Sequence, residues 1–81
     1  MYILNPNYGD MSVVVLGSSI KKILSKLKKH WEDELENPDE YEKDHIKKIH
    51  LILNKEFKDV NELMEMYNEL IDEDYIFEET F

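Results

Sequence analysis

The chain has 81 residues, no cysteine and a formal net charge of −9 from 10 basic and 19 acidic side chains. Such a length supports one small domain, and the lack of cysteine excludes disulfide staples and zinc–thiolate centres. An apolar content of 42% argues for a folded core. No apolar run approaches the roughly 18 residues needed to cross a membrane, and no charged segment precedes the first apolar stretch, which predicts a soluble cytoplasmic protein.

Taken in order, Tyr2-Ile3-Leu4 and Ser12-Val13-Val14-Val15-Leu16 flank a turn cluster, Asn5-Pro6-Asn7-Tyr8-Gly9-Asp10, and predict a β-hairpin. The valine triplet predicts a strand covered on both faces, or one covered on one face and central in its sheet. Gly17-Ser18-Ser19 ends this strand and offers caps to a helix. That helix carries Ile20, Ile23, Leu24, Leu27, Trp31 and Leu35 on one stripe and Lys21, Lys22, Lys26, Lys28 and Lys29 on its polar side.

Asn37-Pro38-Asp39-Glu40 reads as the stop of the first helix and the capped start of a second. The second helix would bury Tyr41, His45, Ile46, Ile49, Ile52 and Leu53, with Leu51 off the stripe. Asp59-Val60-Asn61-Glu62 repeats the capping pattern before a third stripe, Val60, Leu63, Met64, Tyr67, Leu70 and Ile71. Tyr75-Ile76-Phe77 reads as a closing strand. The expected fold is a single α+β domain over residues 1–81, ordered β-β-α-α-α-β, with hairpin and closing strand in one small sheet packed on three helices.

Charge is segregated along the chain. Residues 18–29 sum to +5, residues 30–44 to −7, residues 45–58 to +3 and residues 59–81 to −9. The last segment holds nine carboxylates and no lysine. Glu62, Glu65, Glu69 and Asp72 fall opposite the third apolar stripe, and Glu73 and Asp74 extend the charge. Glu65–Glu69 and Glu69–Glu73 are like-charge i,i+4 pairs, each unfavourable by a few tenths of a kcal/mol. Asp72, Glu73 and Asp74 also crowd the negative end of the helix dipole. A ridge so expensive to keep predicts a basic partner, while a solvated face is the plain alternative. A second acidic group, Glu32 to Asp44, surrounds the corner between the first two helices.

Other chemistry finds little support. The acidic segments lack the glycine of a calcium loop. His30, His45 and His50 form no metal-binding spacing, and the serines lack a nucleophile elbow. The expectation is therefore no catalytic residue, no metal and no cofactor. The net charge argues against direct nucleic-acid binding, which needs clustered cations. Met66 and Phe81, off the stripes, are candidate apolar anchors for an interface.

Ala, Arg, Gln and Cys are absent while Lys, Glu, Asn, Ile and Leu dominate, a bias that fits AT-rich coding, as in low-GC bacteria and their phages. In size, acidity and this bias, the whole chain resembles small phage-encoded inhibitors such as anti-CRISPR proteins and other DNA mimics. The resemblance implies an inhibitor of a basic nucleic-acid-binding protein or nuclease. Glu62, Glu65, Glu69, Asp72, Glu73 and Asp74 would then stand where phosphates sit. Two alternatives share the sequence features: an immunity or antitoxin protein that neutralises a basic toxin, and a small regulatory protein that forms a homodimer and has a merely solvated acidic face.

Overall fold

The computed structural model describes residues 1–71 and 74–80. The elements are β1 (Tyr2–Pro6), β2 (Val14–Gly17), α1 (Ile20–His30), a short α2 (Glu32–Glu36), a 3-10 turn (Pro38–Glu40), α3 (Lys43–Asn54), α4 (Val60–Leu70) and β3 (Tyr75–Glu79). The β-β-α-α-α-β order holds, with the first helix bent into two pieces.

The hairpin forms as expected, with Leu4 opposite Val14 and Ile3 opposite Val15, and an irregularity between Tyr2 and Ile3. β3 pairs antiparallel with β1, which makes the strand order β2-β1-β3. The valine strand is therefore an edge, not a centre. Its alternation places Leu16 in the core beside Leu4 and Phe77, and leaves Val13 and Val15 51% and 55% exposed. All helices lie on the face carrying Leu4, Leu16 and Phe77. Among the described residues nothing covers the opposite face, where Ile3, Val15 and Ile76 stand. Gly17 links β2 to α1 with φ of 121°, and a Cβ there would sit 3.2 Å from the Lys22 Cβ, so both conformation and space call for glycine.

Ser19 caps α1 through its hydroxyl, which accepts from the Lys22 N–H at 3.3 Å. Ile23 and Leu27 are fully buried, and the stripe continues to Trp31. At Trp31 the chain bends (φ −96°, ψ 16°), although the i→i−4 hydrogen bonds from Trp31 N–H and Leu35 N–H run on across it at 2.9 Å. The bend lays the indole on the Tyr67 ring, with centroids 5.9 Å apart and planes 14° from parallel.

The expected start of the second helix at Pro38 is corrected. Pro38–Glu40 makes one 3-10 turn, and α3 begins only at Lys43. Asn37 does not cap forward. Its carboxamide donates back to the Asp33 carboxylate at 3.3 Å, and the Tyr41 hydroxyl donates to the same carboxylate. Tyr41 is thereby drawn into extended backbone and only half-buried, outside the helix in which it was expected to be buried. His45 is likewise only half-buried. Ile49 and Ile52 fill the core from α3, while Leu51 is exposed.

Asp59 caps α4, accepting from the Glu62 N–H at 2.9 Å. Leu63, Tyr67 and Ile71 complete a core that also holds Leu4, Leu16, Ile23, Leu27, Trp31, Ile49, Ile52 and Phe77. From α4, Asn68 reaches β3: its carboxamide donates to the Phe77 C=O at 2.8 Å and accepts from the Phe77 N–H at 2.9 Å.

Candidate functional site

The helical period sets Glu62, Glu65 and Glu69 on the side of α4 away from Leu63 and Tyr67. Glu65 and Glu69 are exposed, and among the described residues neither carboxylate has a salt-bridge or hydrogen-bond partner. Glu62 is different. It is half-buried, lies 3.5 Å from the Lys55 ammonium and accepts from the Lys58 N–H at 3.3 Å. Compensation missing from residues 59–81 therefore arrives from the loop just before them, and Glu62 belongs to the helix start more than to a free surface. Asp72 and Glu73, together with Phe81, lie outside the described residues.

Asp74 is exposed, and its C=O accepts from Asn7 N–H at 2.8 Å, which fixes the chain as it enters β3. Its position brings one member of the C-terminal acidic group to the corner acids. Asp74 lines a cleft of about 390 Å³ with Glu34, Glu40, Tyr41, Glu42 and His45. Four carboxylates from α2, the corner and the C-terminal segment thus share one concavity, with no lysine in its lining.

The corner holds its shape through Asp33, which gathers Asn37 and Tyr41. The Tyr41 hydroxyl is pushed up to about 12, first by its hydrogen bond to Asp33, then by desolvation and by the negative charges of Asp33, Glu34 and Glu40. Asp33 therefore has a structural task, while Glu34, Glu40 and Glu42 are left to face the cleft. Behind the cleft, a recess of about 160 Å³ shares Glu34, His45 and Asp74 with it and reaches His30, Trp31 and Tyr67. His30 sits edge-on to the Tyr75 ring at 5.1 Å. Burial lowers its pKa below the ordinary histidine value, against the opposing pull of Glu34.

The lysines of α1 do not neutralise these acids. Among the described residues the ion pairs are Lys48–Asp44 at 3.1 Å and Lys55–Glu62 at 3.5 Å. No group of three or more histidine, aspartate or glutamate side chains is arranged to hold a metal ion among the described residues. Nor is any described helix long and apolar enough to cross a membrane. Met66 is half-buried against the core and borders a groove with Lys47, His50, Leu51 and Lys55.

Sequence periodicity found the α4 ridge but not the cleft. Residues 30–44 and Asp74 are distant in sequence, and no local signal joins them. The pairing of β3 with β1 is what brings Asp74 to the corner. Comparison with family models, curated proteins and solved structures finds no match to this chain.

Proposed function

We propose that the protein is a non-catalytic, acidic binding protein that blocks the nucleic-acid-binding surface of a basic partner in the bacterial cytoplasm, in the manner of phage-encoded inhibitors of the anti-CRISPR kind. The observation that carries this reading is the convergence of Glu34, Glu40, Glu42 and Asp74 on one cleft without a lysine in its lining. A concave site of this kind suits an arginine or lysine side chain, since charge-assisted hydrogen bonds to carboxylates are about twice as strong as neutral ones. Glu65 and Glu69, exposed and unpaired, would add long-range steering and speed the encounter. Glu62, already bound to Lys55 and Lys58, contributes less than its sequence position promised.

The test is capture of partners from a low-GC bacterial lysate with the tagged protein, followed by challenge with double-stranded DNA. The reading expects captured proteins to be nucleic-acid binders, to be released by DNA and by salt, and to be lost with a Glu34→Lys, Asp74→Lys double variant. Capture that survives both DNA and the charge reversal would overturn it.

A further inference from the structure

The two edges of the sheet are closed to different degrees. On the β3 side, Asn7 N–H donates to Asp74 C=O and Thr80 N–H donates to Met1 C=O, in the register that sets Leu4 opposite Phe77. Antiparallel alternation then turns the backbone N–H and C=O of Tyr75, Phe77 and Glu79 away from β1. Asn68 occupies the middle pair of this row. A strand added at β3 would have to displace it.

On the β2 side the same alternation leaves Leu4 and Val14 to exchange hydrogen bonds, and turns the backbone N–H and C=O of Val15 outward. Among the described residues no other group takes them up. An open edge of this kind is a template for another strand unless it is blocked. Beside it lies a groove of about 580 Å³ between Val15, Leu16 and Gly17 and the α1 residues Lys21, Lys22 and Lys26. Among the described residues none of these lysines has an ion pair, and no carboxylate lines the groove. In a chain of net charge −9 this is a local reversal of sign.

We propose that β2 and α1 form a strand-addition site for an extended acidic segment of another protein. Backbone hydrogen bonds to Val15 and onward along β2 would hold the segment, and alternate side chains would select it. Side chains on its helix-facing side meet Lys21, Lys22 and Lys26. Those on the other side lie beside Val13 and Val15 on the uncovered face. The fitting sequence therefore alternates acidic with β-branched apolar residues. A second copy of this chain fits poorly: its β2 would bring a second set of lysines, and its β3 edge is held by Asn68. Nucleic acid would meet the net negative charge and leave the outward C=O groups unpaired. The site shares no residue with the acidic cleft, so either assignment stands or falls without the other.

The test uses the full ¹⁵N-labelled chain and a cyclised hairpin peptide whose free strand reads Glu-Val-Glu-Val-Glu. The lysine counterpart of the peptide and a short oligo-dT serve as competing probes. With the acidic peptide, amide shifts should cluster on Val13 to Gly17 and the first turns of α1. Exchange of the Val15 amide should slow by about tenfold or more. A K21E/K22E/K26E variant, with Tyr67 and Phe77 resonances unchanged, should bind the peptide at least about tenfold more weakly. Equal binding of the lysine peptide, tighter binding of oligo-dT to the same lysines, or shifts without protection of Val15 would overturn the proposal. So would Val15 protection that rises with protein concentration alone, which would mark a second copy as the occupant.

Discussion

The Asn68 carboxamide holds the Phe77 backbone at both of its polar groups, 2.8 Å from the C=O and 2.9 Å from the N–H. It joins α4 to β3 and fills the edge position where another strand would pair. Phe77 is 1% exposed, so these backbone groups have little water to replace a lost partner. Asn68→Ala should therefore cost about 1–3 kcal/mol in urea unfolding, the range for leaving part-buried groups unsatisfied. The same variant should self-associate at high concentration, measured by sedimentation, because it opens the β3 edge. Asn68→Asp keeps an acceptor for the Phe77 N–H but sets a charged oxygen against the Phe77 C=O, and should cost at least as much as Asn68→Ala.

Glu65 and Glu69 are one helical turn apart, exposed and of like charge. Glu65→Lys converts their repulsion into an attractive pair and should raise stability by about 0.5 kcal/mol. If the acidic surface serves a basic partner, the same change slows association, most clearly at low salt. A gain in thermal midpoint with no change in any binding rate would identify these two residues as solvent-facing only.

His30 gives a pH dependence of defined sign. Its pKa is lowered in the folded protein, chiefly by burial, with Glu34 pulling the other way. Tyr75, Trp31, His45 and Asp74 also border it. Above the ordinary value of 6.5 both folded and unfolded states hold the imidazole neutral, and nothing is lost. As pH falls through 6.5 the unfolded chain takes up the proton first, and stability declines until the folded pKa is passed. Urea midpoints from about pH 8 down to about pH 5 should drop more steeply for wild type than for His30→Gln. Parallel curves would remove His30 from the account.

Tyr41 titrates near 12 because its proton is held by Asp33. A raised tyrosine pKa means stabilisation present below about 10 and lost as pH rises through about 12. Spectrophotometric titration of the five tyrosines should contain a late component that Tyr41→Phe removes. Asp33→Asn should bring that component down toward 10, since the charged acceptor is gone. Tyr2, also raised by its hydrogen bond to Glu79, should be unaffected by either change.

Local patterns in the sequence carry most of the fold. The first and third apolar stripes, the later part of the second, the Ser19 and Asp59 caps and the closing strand all depend on neighbours within one or two turns, and each lies where periodicity places it. The failures involve partners farther away. Asn37-Pro38-Asp39-Glu40 has every residue of a helix start, yet Asp33 draws Asn37 and Tyr41 back and delays α3 to Lys43. Val13-Val14-Val15 has the composition of an interior strand, but β3 takes the place on the other side of β1 and leaves it at the edge. The candidate site divides in the same way. Glu65 and Glu69 are legible from helical spacing, whereas the meeting of Asp74 with Glu34, Glu40 and Glu42 depends on strand pairing across the whole chain.

The bend at Trp31 also equips the protein with its own optical probe. The chain has a single tryptophan, 3% exposed and stacked on Tyr67, on the wall of the recess that adjoins the acidic cleft. Its emission is set by one environment, so a blue-shifted band marks the intact core and its red shift follows unfolding. If a basic partner occupies the cleft as proposed, a cationic side chain beside Glu34 and Asp74, which line the same recess as Trp31, should alter this emission. Integrity of the fold, and occupancy of the cleft under the proposed function, would thus be followed with one unlabelled fluorophore.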